Sequence, residues 1–219
     1  MNVHSLPPSP FSLLLASKSP RRRELLTALG IPFDVLAAPI EEEPLPAENP
    51  QTAALRICLE KHRAARALQP KHSLILTADT VVSLCAAGSW RIFGKPADEE
   101  ELRCMLHSLA GREHLVCTAF TLSSLRMMRS QVVASRVWLR DFTEAEIQAY
   151  CASDVPYDKA GGYAIQDMDL QPVAKLVGSY SNVMGLPLEA LTFALRAFGF
   201  TIPLLQELQH NLSPLMDGT

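Results

Sequence analysis

Seven consecutive residues, Ser17-Lys18-Ser19-Pro20-Arg21-Arg22-Arg23, bring two hydroxyls and four cations together near the start of the chain. Ser19-Pro20 reads as an N-cap followed by proline at the first helical position, so the arginines fall in the first turn of a helix. Cations there oppose the positive end of the macrodipole, at roughly 0.3–1 kcal/mol each. A bound anion reverses the sign of that effect, because free backbone N–H groups, guanidinium forks and the Ser17 and Ser19 hydroxyls would all converge on it. Spacing alone leaves open the alternative that the arginines point into water.

Asp79 is the second position with chemical content. It interrupts the apolar run from Ser73 to Leu84, where an unpaired carboxylate costs several kcal/mol or takes up a proton. A metal ion would remove that cost. Magnesium needs one or two carboxylates plus water and phosphate oxygens, so Asp79 with one of Glu41, Glu42 or Glu43 would suffice. The competing reading puts Asp79 at a strand end facing solvent, with the glutamates in a solvated loop. Lys61 and Lys95 could each meet a phosphate as a point charge. Gly94-Lys95-Pro96 is not a Walker loop, since the glycine spacing is wrong and Pro96 stands where Ser or Thr is required.

These residues need a scaffold, and the pattern of the chain supplies one. Phe11 to Ala16 reads as a buried strand and Pro20 to Gly30 as a helix stopped by glycine. Phe33 to Leu36 reads as a second strand, and Gln51 to Leu68 as an amphipathic helix with Ala54, Ile57, Lys61 and Ala65 on one face. A β-rich run through Asp79 follows, then a helix opening at Pro96 and running to Leu109, with acidic residues in its first turn. His114–Leu125 and Gln131–Leu139 form an antiparallel pair, and Thr143 caps a helix to Cys151. Val173–Val177 is a strand and Pro187–Phe198 a helix. Alternating helices and strands with one antiparallel pair predict a single α/β domain, bilobed, on a mixed sheet. Residues 1–10 and 200–219 read as extensions flanking a catalytic domain at 11–199, with Leu204, Leu205 and Leu208 able to form one docked turn.

Composition narrows the function. The 219 residues carry a net charge of −3, so a polyanion site must be local, and a nucleic-acid partner is not expected. No segment approaches the roughly 18 apolar residues of a membrane span. The five cysteines are scattered with no Cys-x-x-Cys pair, which predicts reduced core residues in a cytoplasmic protein. No nucleophile elbow, dinucleotide fingerprint or His-Glu-x-x-His pair occurs.

Read in order, Leu15-Ala16-Ser17-Lys18-Ser19-Pro20-Arg21-Arg22, Ile40-Glu41-Glu42, Glu60-Lys61, Ala78-Asp79-Thr80-Val81-Val82, Gly94-Lys95-Pro96, Asp158 to Gln166 and Gly178 to Pro187 resemble the Maf family of nucleotide pyrophosphatases, from about Leu13 to Phe198. The resemblance implies a fold similar to that of inosine-triphosphate pyrophosphatases, with a central cleft, and hydrolysis of a nucleoside triphosphate to the monophosphate and pyrophosphate. By position, Asp79 would accept the proton of the attacking water and share a Mg²⁺ or Mn²⁺ ion with Glu42. Ser17, Arg22, Lys61 and Lys95 would hold the phosphates. Arg21, Thr80 and Gln166 occupy positions tied to base choice and resemble the dTTP/UTP-preferring branch. The resemblance also implies a homodimer. His62 departs from the family, which usually has alanine there. Two other readings stand beside this one: a non-enzymatic regulator of septum formation or nucleic-acid-binding module, and a house-cleaning enzyme for modified nucleotides.

Overall fold

The computed structural model describes residues 12–37, 45, 48–71 and 73–202. The expected extension at residues 1–10, the Leu204–Leu208 turn and Glu41, Glu42 and Glu43 lie outside them.

The first unit is strand, loop, helix. β1 (Leu13–Leu15) is fully apolar and buried, and α1 (Pro20–Ala28) starts where expected, with the Ser19 side chain accepting from the Arg22 backbone and Leu25 and Leu26 turned inward. β2 (Phe33–Val35) pairs parallel to β1. Asn49 caps α2 (Pro50–Leu68), whose Ala53, Ala54, Ile57, Cys58 and Ala65 are buried. The helical spacing noted in the sequence thus puts Lys61 on the face that meets the sheet.

β3 (Leu74–Ala86) is one continuous strand of 13 residues. Asp79 therefore sits in mid-strand and not at a strand end. β4 (Ser89–Phe93) returns antiparallel to β3 through Ala87-Gly88, both at positive φ, 50° and 77°, as a two-residue hairpin turn requires. The sequence reading did not foresee this strand, although Ser89-Trp90-Arg91-Ile92-Phe93 alternates polar and apolar residues. α3 (Glu99–Leu109) begins three residues later than expected, because the Asp98 side chain accepts from Glu101 N at 2.8 Å and caps it there. β5 (Glu113–Ser123) and β6 (Met128–Leu139) form the expected antiparallel pair. α4 (Glu144–Cys151) carries a capping box between Thr143 and Glu146. β7 (Val173–Val177) is followed by α5 (Tyr180–Met184), a single turn too short to announce itself by periodicity, and by α6 (Leu188–Ala197).

The sheet runs β2-β1-β3-β5-β6-β7, with β4 also on β3; only the β1 pairings are parallel, so the sheet is mixed. One edge of β3 is shared. β1 pairs with its first third, Leu74 to Leu76, and β4 with its last part, Val82 to Ala86. Between them, no described strand pairs with residues 77–81 on that edge, so the sheet forks. The core divides accordingly, one cluster around Leu13, Leu25, Leu76 and Leu191 and another around Val82, Phe93, Met105 and Tyr163. The expectation that all five cysteines are core residues is corrected: all are free, but Cys85 and Cys104 are exposed. They lie near the end of β3 and on the outer face of α3.

Candidate active site

Where β3 loses its neighbour, a cleft of about 350 Å³ opens. Successive strand residues point to opposite faces, so the two residues central to the site serve two walls. Thr77 and Val81 turn toward α2, touching Cys58 and His62 or packing with Ala53 and Ala54. Asp79 shares their face. It is 8% exposed, and its Oδ1 forms an ion pair with the Lys61 ammonium group. Thr80 turns the other way, toward α1 and α5.

Arg22 is tied down by three bonds on that second wall. Its Nε donates to the Gly185 carbonyl at 2.8 Å, Nη2 to Thr80 Oγ1 at 3.0 Å and Nη1 to Ser17 Oγ at 3.4 Å. Burial pushes the guanidinium pKa below its ordinary value, and the negative charge of Asp79 opposes that shift. Gly185 makes the arrangement possible. Its φ is +113°, and a Cβ there would come within 3.2 Å of Thr80 Oγ1 and 3.5 Å of Arg22 Nε.

Arg21 leaves α1 in another direction and meets Asp158 Oδ2 at 3.0 Å. Arg23 is exposed. Lys95 lines the rim just after β4, where Gly94 accepts a backbone bond from Gly161 at 2.9 Å. Gln166 also lines the cleft, and its Oε1 is buried with no hydrogen-bond partner among the described residues. A buried acceptor left unmade in this way is costly unless a ligand completes it.

The structure thus brings Ser17, Arg21, Arg22, Lys61, Asp79, Thr80, Lys95 and Gln166 to one cleft. Glu42 lies outside the described residues. Two charged residues that line the same space, Asp158 and Lys159, were given no role in the sequence reading, and Lys18, one of the four cations of its segment, lines it too. Lys159 donates to Asp158 and to the Val155 carbonyl. Its only signal was a place beside Asp158 in the glycine-bearing segment. His62 is not a packing fault. It is buried against Thr77 Oγ1 at 3.1 Å and Ser123 Oγ at 2.6 Å.

Among the described residues no group of three or more His, Cys, Asp or Glu side chains could hold a metal by itself. Asp79, a nearly buried carboxylate beside the gap, fits the other style of site, in which a divalent cation takes one or two carboxylates and completes its shell with water and phosphate oxygens.

The family model described as Maf-like protein matches residues 12–198. The chain is 43% identical over 189 residues to a dTTP/UTP pyrophosphatase of Syntrophus aciditrophicus, covering 85% of this chain and 90% of that one. It is 44% identical over 177 residues to a dTTP/UTP pyrophosphatase of Vibrio parahaemolyticus, covering 81% and 92%. Among solved structures it is similar to the Staphylococcus aureus Ham1 protein, with a TM-score of 0.47 and 14% identity over 85% of this chain and 97% of that one.

Proposed function

The chain belongs to the Maf-like family, and on that premise we propose that it is a nucleoside-triphosphate pyrophosphatase that hydrolyses dTTP and UTP to the monophosphate and pyrophosphate. The observation that carries this reading is the convergence of one carboxylate, Asp79, with Ser17, Arg22, Lys61 and Lys95 on the unpaired stretch of β3.

Phosphoanhydride cleavage asks mainly for positioning and charge neutralisation around an in-line attack. Asp79 takes the proton as water attacks the α-phosphorus and forms the new P–O bond. The bond to the bridging oxygen breaks, and its electron pair leaves with pyrophosphate. Arg22 is already spent on three fixed acceptors, so its remaining N–H groups form a preorganised fork for phosphate oxygens. Lys61 stands beside the proton acceptor and the phosphates it would hold, and Ser17 and Lys95 complete the cradle from the loop before α1 and the end of β4. When bound, a divalent cation held by Asp79, with Glu42 and phosphate oxygens, supplies further neutralisation of the triphosphate charge; Mg²⁺ is the cation of this reading, with Mn²⁺ able to replace it. Arg21, Thr80 and Gln166 act on base choice. The unpartnered Gln166 amide oxygen suits the imide N–H of thymine or uracil and meets a lone pair on the corresponding nitrogen of cytosine.

The alternatives of a septum regulator or a nucleic-acid-binding module have no support in the relatives' names, and the cleft needs neither. The same reading makes the enzyme a cytoplasmic homodimer. No described helix is long and apolar enough to cross a membrane, and sedimentation of the purified chain tests the dimer.

The deciding experiment incubates the purified chain with Mg²⁺ or Mn²⁺ and a panel of canonical and modified triphosphates, following pyrophosphate and monophosphate. Release of pyrophosphate, with the highest kcat/KM on dTTP and UTP, is expected. Release of orthophosphate, or of nothing from any triphosphate, overturns the activity; a strong preference for modified nucleotides overturns the substrate.

A further inference from the structure

Behind the Arg22 wall, Thr80 leads into two buried neutral residues, Thr118 and Asn182, that the proposed reaction does not use. Thr80 Oγ1 is 3.0 Å from Thr118 Oγ1, and Thr118 Oγ1 donates to the Asn182 backbone carbonyl at 2.8 Å. Thr118 and Asn182 are both fully buried. The Asn182 side chain is fixed without ambiguity. Its Oδ1 accepts from the Thr118 N–H at 3.2 Å, and its Nδ2 donates to the Val116 carbonyl at 3.1 Å and to Ser135 Oγ at 2.9 Å.

Each hydroxyl has one proton and two lone pairs, so the direction of the chain follows. Among the described residues the hydrogen-bond partners of Thr80 Oγ1 are Thr118 Oγ1 and Arg22 Nη2, and Nη2 can only donate. The one arrangement that pairs both hydroxyl protons sends Thr80 O–H to Thr118 and Thr118 O–H to the Asn182 carbonyl. Thr80 then meets Arg22 with a lone pair and has no proton left to offer the cleft.

We infer that Thr118 and Asn182 are positioning residues. They commit the Thr80 hydroxyl as an acceptor, and through it they hold the Arg22 guanidinium in the orientation that leaves its remaining donors facing a phosphate chain. α5 and its C-cap serve the same end, because the Asn182 carbonyl ends the chain and the carbonyl of the capping Gly185 accepts from Arg22 Nε at 2.8 Å. Thr80 cannot hydrogen-bond a phosphate oxygen, which is itself an acceptor. The phosphates are left to Arg22, and Thr80 faces only ligand donors.

This rests on the triphosphate reading, and a binding measurement separates the two. Thr118→Val keeps the volume and the backbone N–H to Asn182 but removes the hydroxyl. Thr118→Ser keeps the hydroxyl. Affinity for inorganic tripolyphosphate, measured by calorimetry, is expected to fall about tenfold in Thr118→Val, the loss of roughly one well-placed hydrogen bond to a charged group, and to stay within about twofold of the parent in Thr118→Ser. KM for dTTP should follow the same split with kcat little changed, and thermal melts should show both variants folded. Equal affinity in Thr118→Val and the parent overturns the inference, as does an equal loss in both variants. Should Thr118→Val not fold, Thr118→Ala, which also removes the hydroxyl and adds no volume, reports on the same link with the same outcomes. A parent that binds tripolyphosphate but hydrolyses no nucleotide defeats the activity and leaves the positioning test intact.

Discussion

Asp79 and Thr80 are neighbours in sequence and face opposite sides of β3, Asp79 paired with Lys61 from α2 and Thr80 bonded to Arg22 from α1. One peptide bond therefore joins the proposed proton acceptor to the proposed phosphate-holding wall. The arrangement works because no described strand pairs with residues 77–81 on one edge, so both faces open on the same cleft. Four consequences can be measured.

Asp79→Asn keeps the shape of the side chain and removes its ability to take a proton. kcat for pyrophosphate release should fall by about 10²–10⁴, with far-ultraviolet circular dichroism unchanged. A variant retaining a tenth of the parent rate would show that another group accepts the proton.

Gly185→Ala puts a methyl group 3.2 Å from Thr80 Oγ1 on a backbone at φ +113°. The strained backbone should cost about 1–3 kcal/mol in urea unfolding. KM should also rise, since Arg22 or Thr80 must move. Parent-like stability together with parent-like KM would mean that the turn relaxes freely.

Asp158 holds Arg21 at 3.0 Å and places a negative charge on the cleft lining. An exposed pair of this kind is worth roughly 0.2–1 kcal/mol, so Asp158→Asn should lower KM for dTTP by about two- to fivefold and weaken its dependence on salt. A higher KM would show that Asp158 itself contributes to substrate binding.

His62 and His114 are buried, and burial lowers both imidazoles from the ordinary 6.5 to about 4; the charge of Arg66 adds to the effect at His62. The folded chain keeps them neutral in a range where the unfolded chain takes up protons. Their contribution to stability is therefore complete above pH 6.5 and is lost as the pH falls toward 4, on the order of 3 kcal/mol each. Urea midpoints should decline between pH 6.5 and 5, before most carboxylates titrate. A flat profile there would contradict the burial of both rings.

Much of the scaffold was legible because its signals are local. Ser19-Pro20 fixes the start of α1, Thr143 with Glu146 starts α4, and two β-rich runs on either side of a short polar turn report the antiparallel pair of β5 and β6. Where the reading failed, the signal was short or had a competitor. α5 spans five residues, less than two helical turns, and β4 is a five-residue strand flanked by Gly88 and Gly94, which drew attention as a phosphate loop instead. Asp98 outcompeted Pro96 as the start of α3 because its carboxylate reaches the Glu101 N–H.

Residue types and order alone determined which groups could meet an anion and a metal, since charge, hydroxyls and helix caps are properties of short segments. They could not tell an arginine held by partners from a solvated one. Tertiary structure decided that: Gly185 and Thr80, 163 and 58 residues away, capture Arg22; Asp158, 137 residues away, takes Arg21; and Arg23 is left in water. The same holds for Asp79, whose cost inside a strand is met by Lys61 from α2 and by a gap in the sheet. The physical reason is common to both. Burial and partnership of a charge depend on what the rest of the chain packs around it, and no local pattern encodes that.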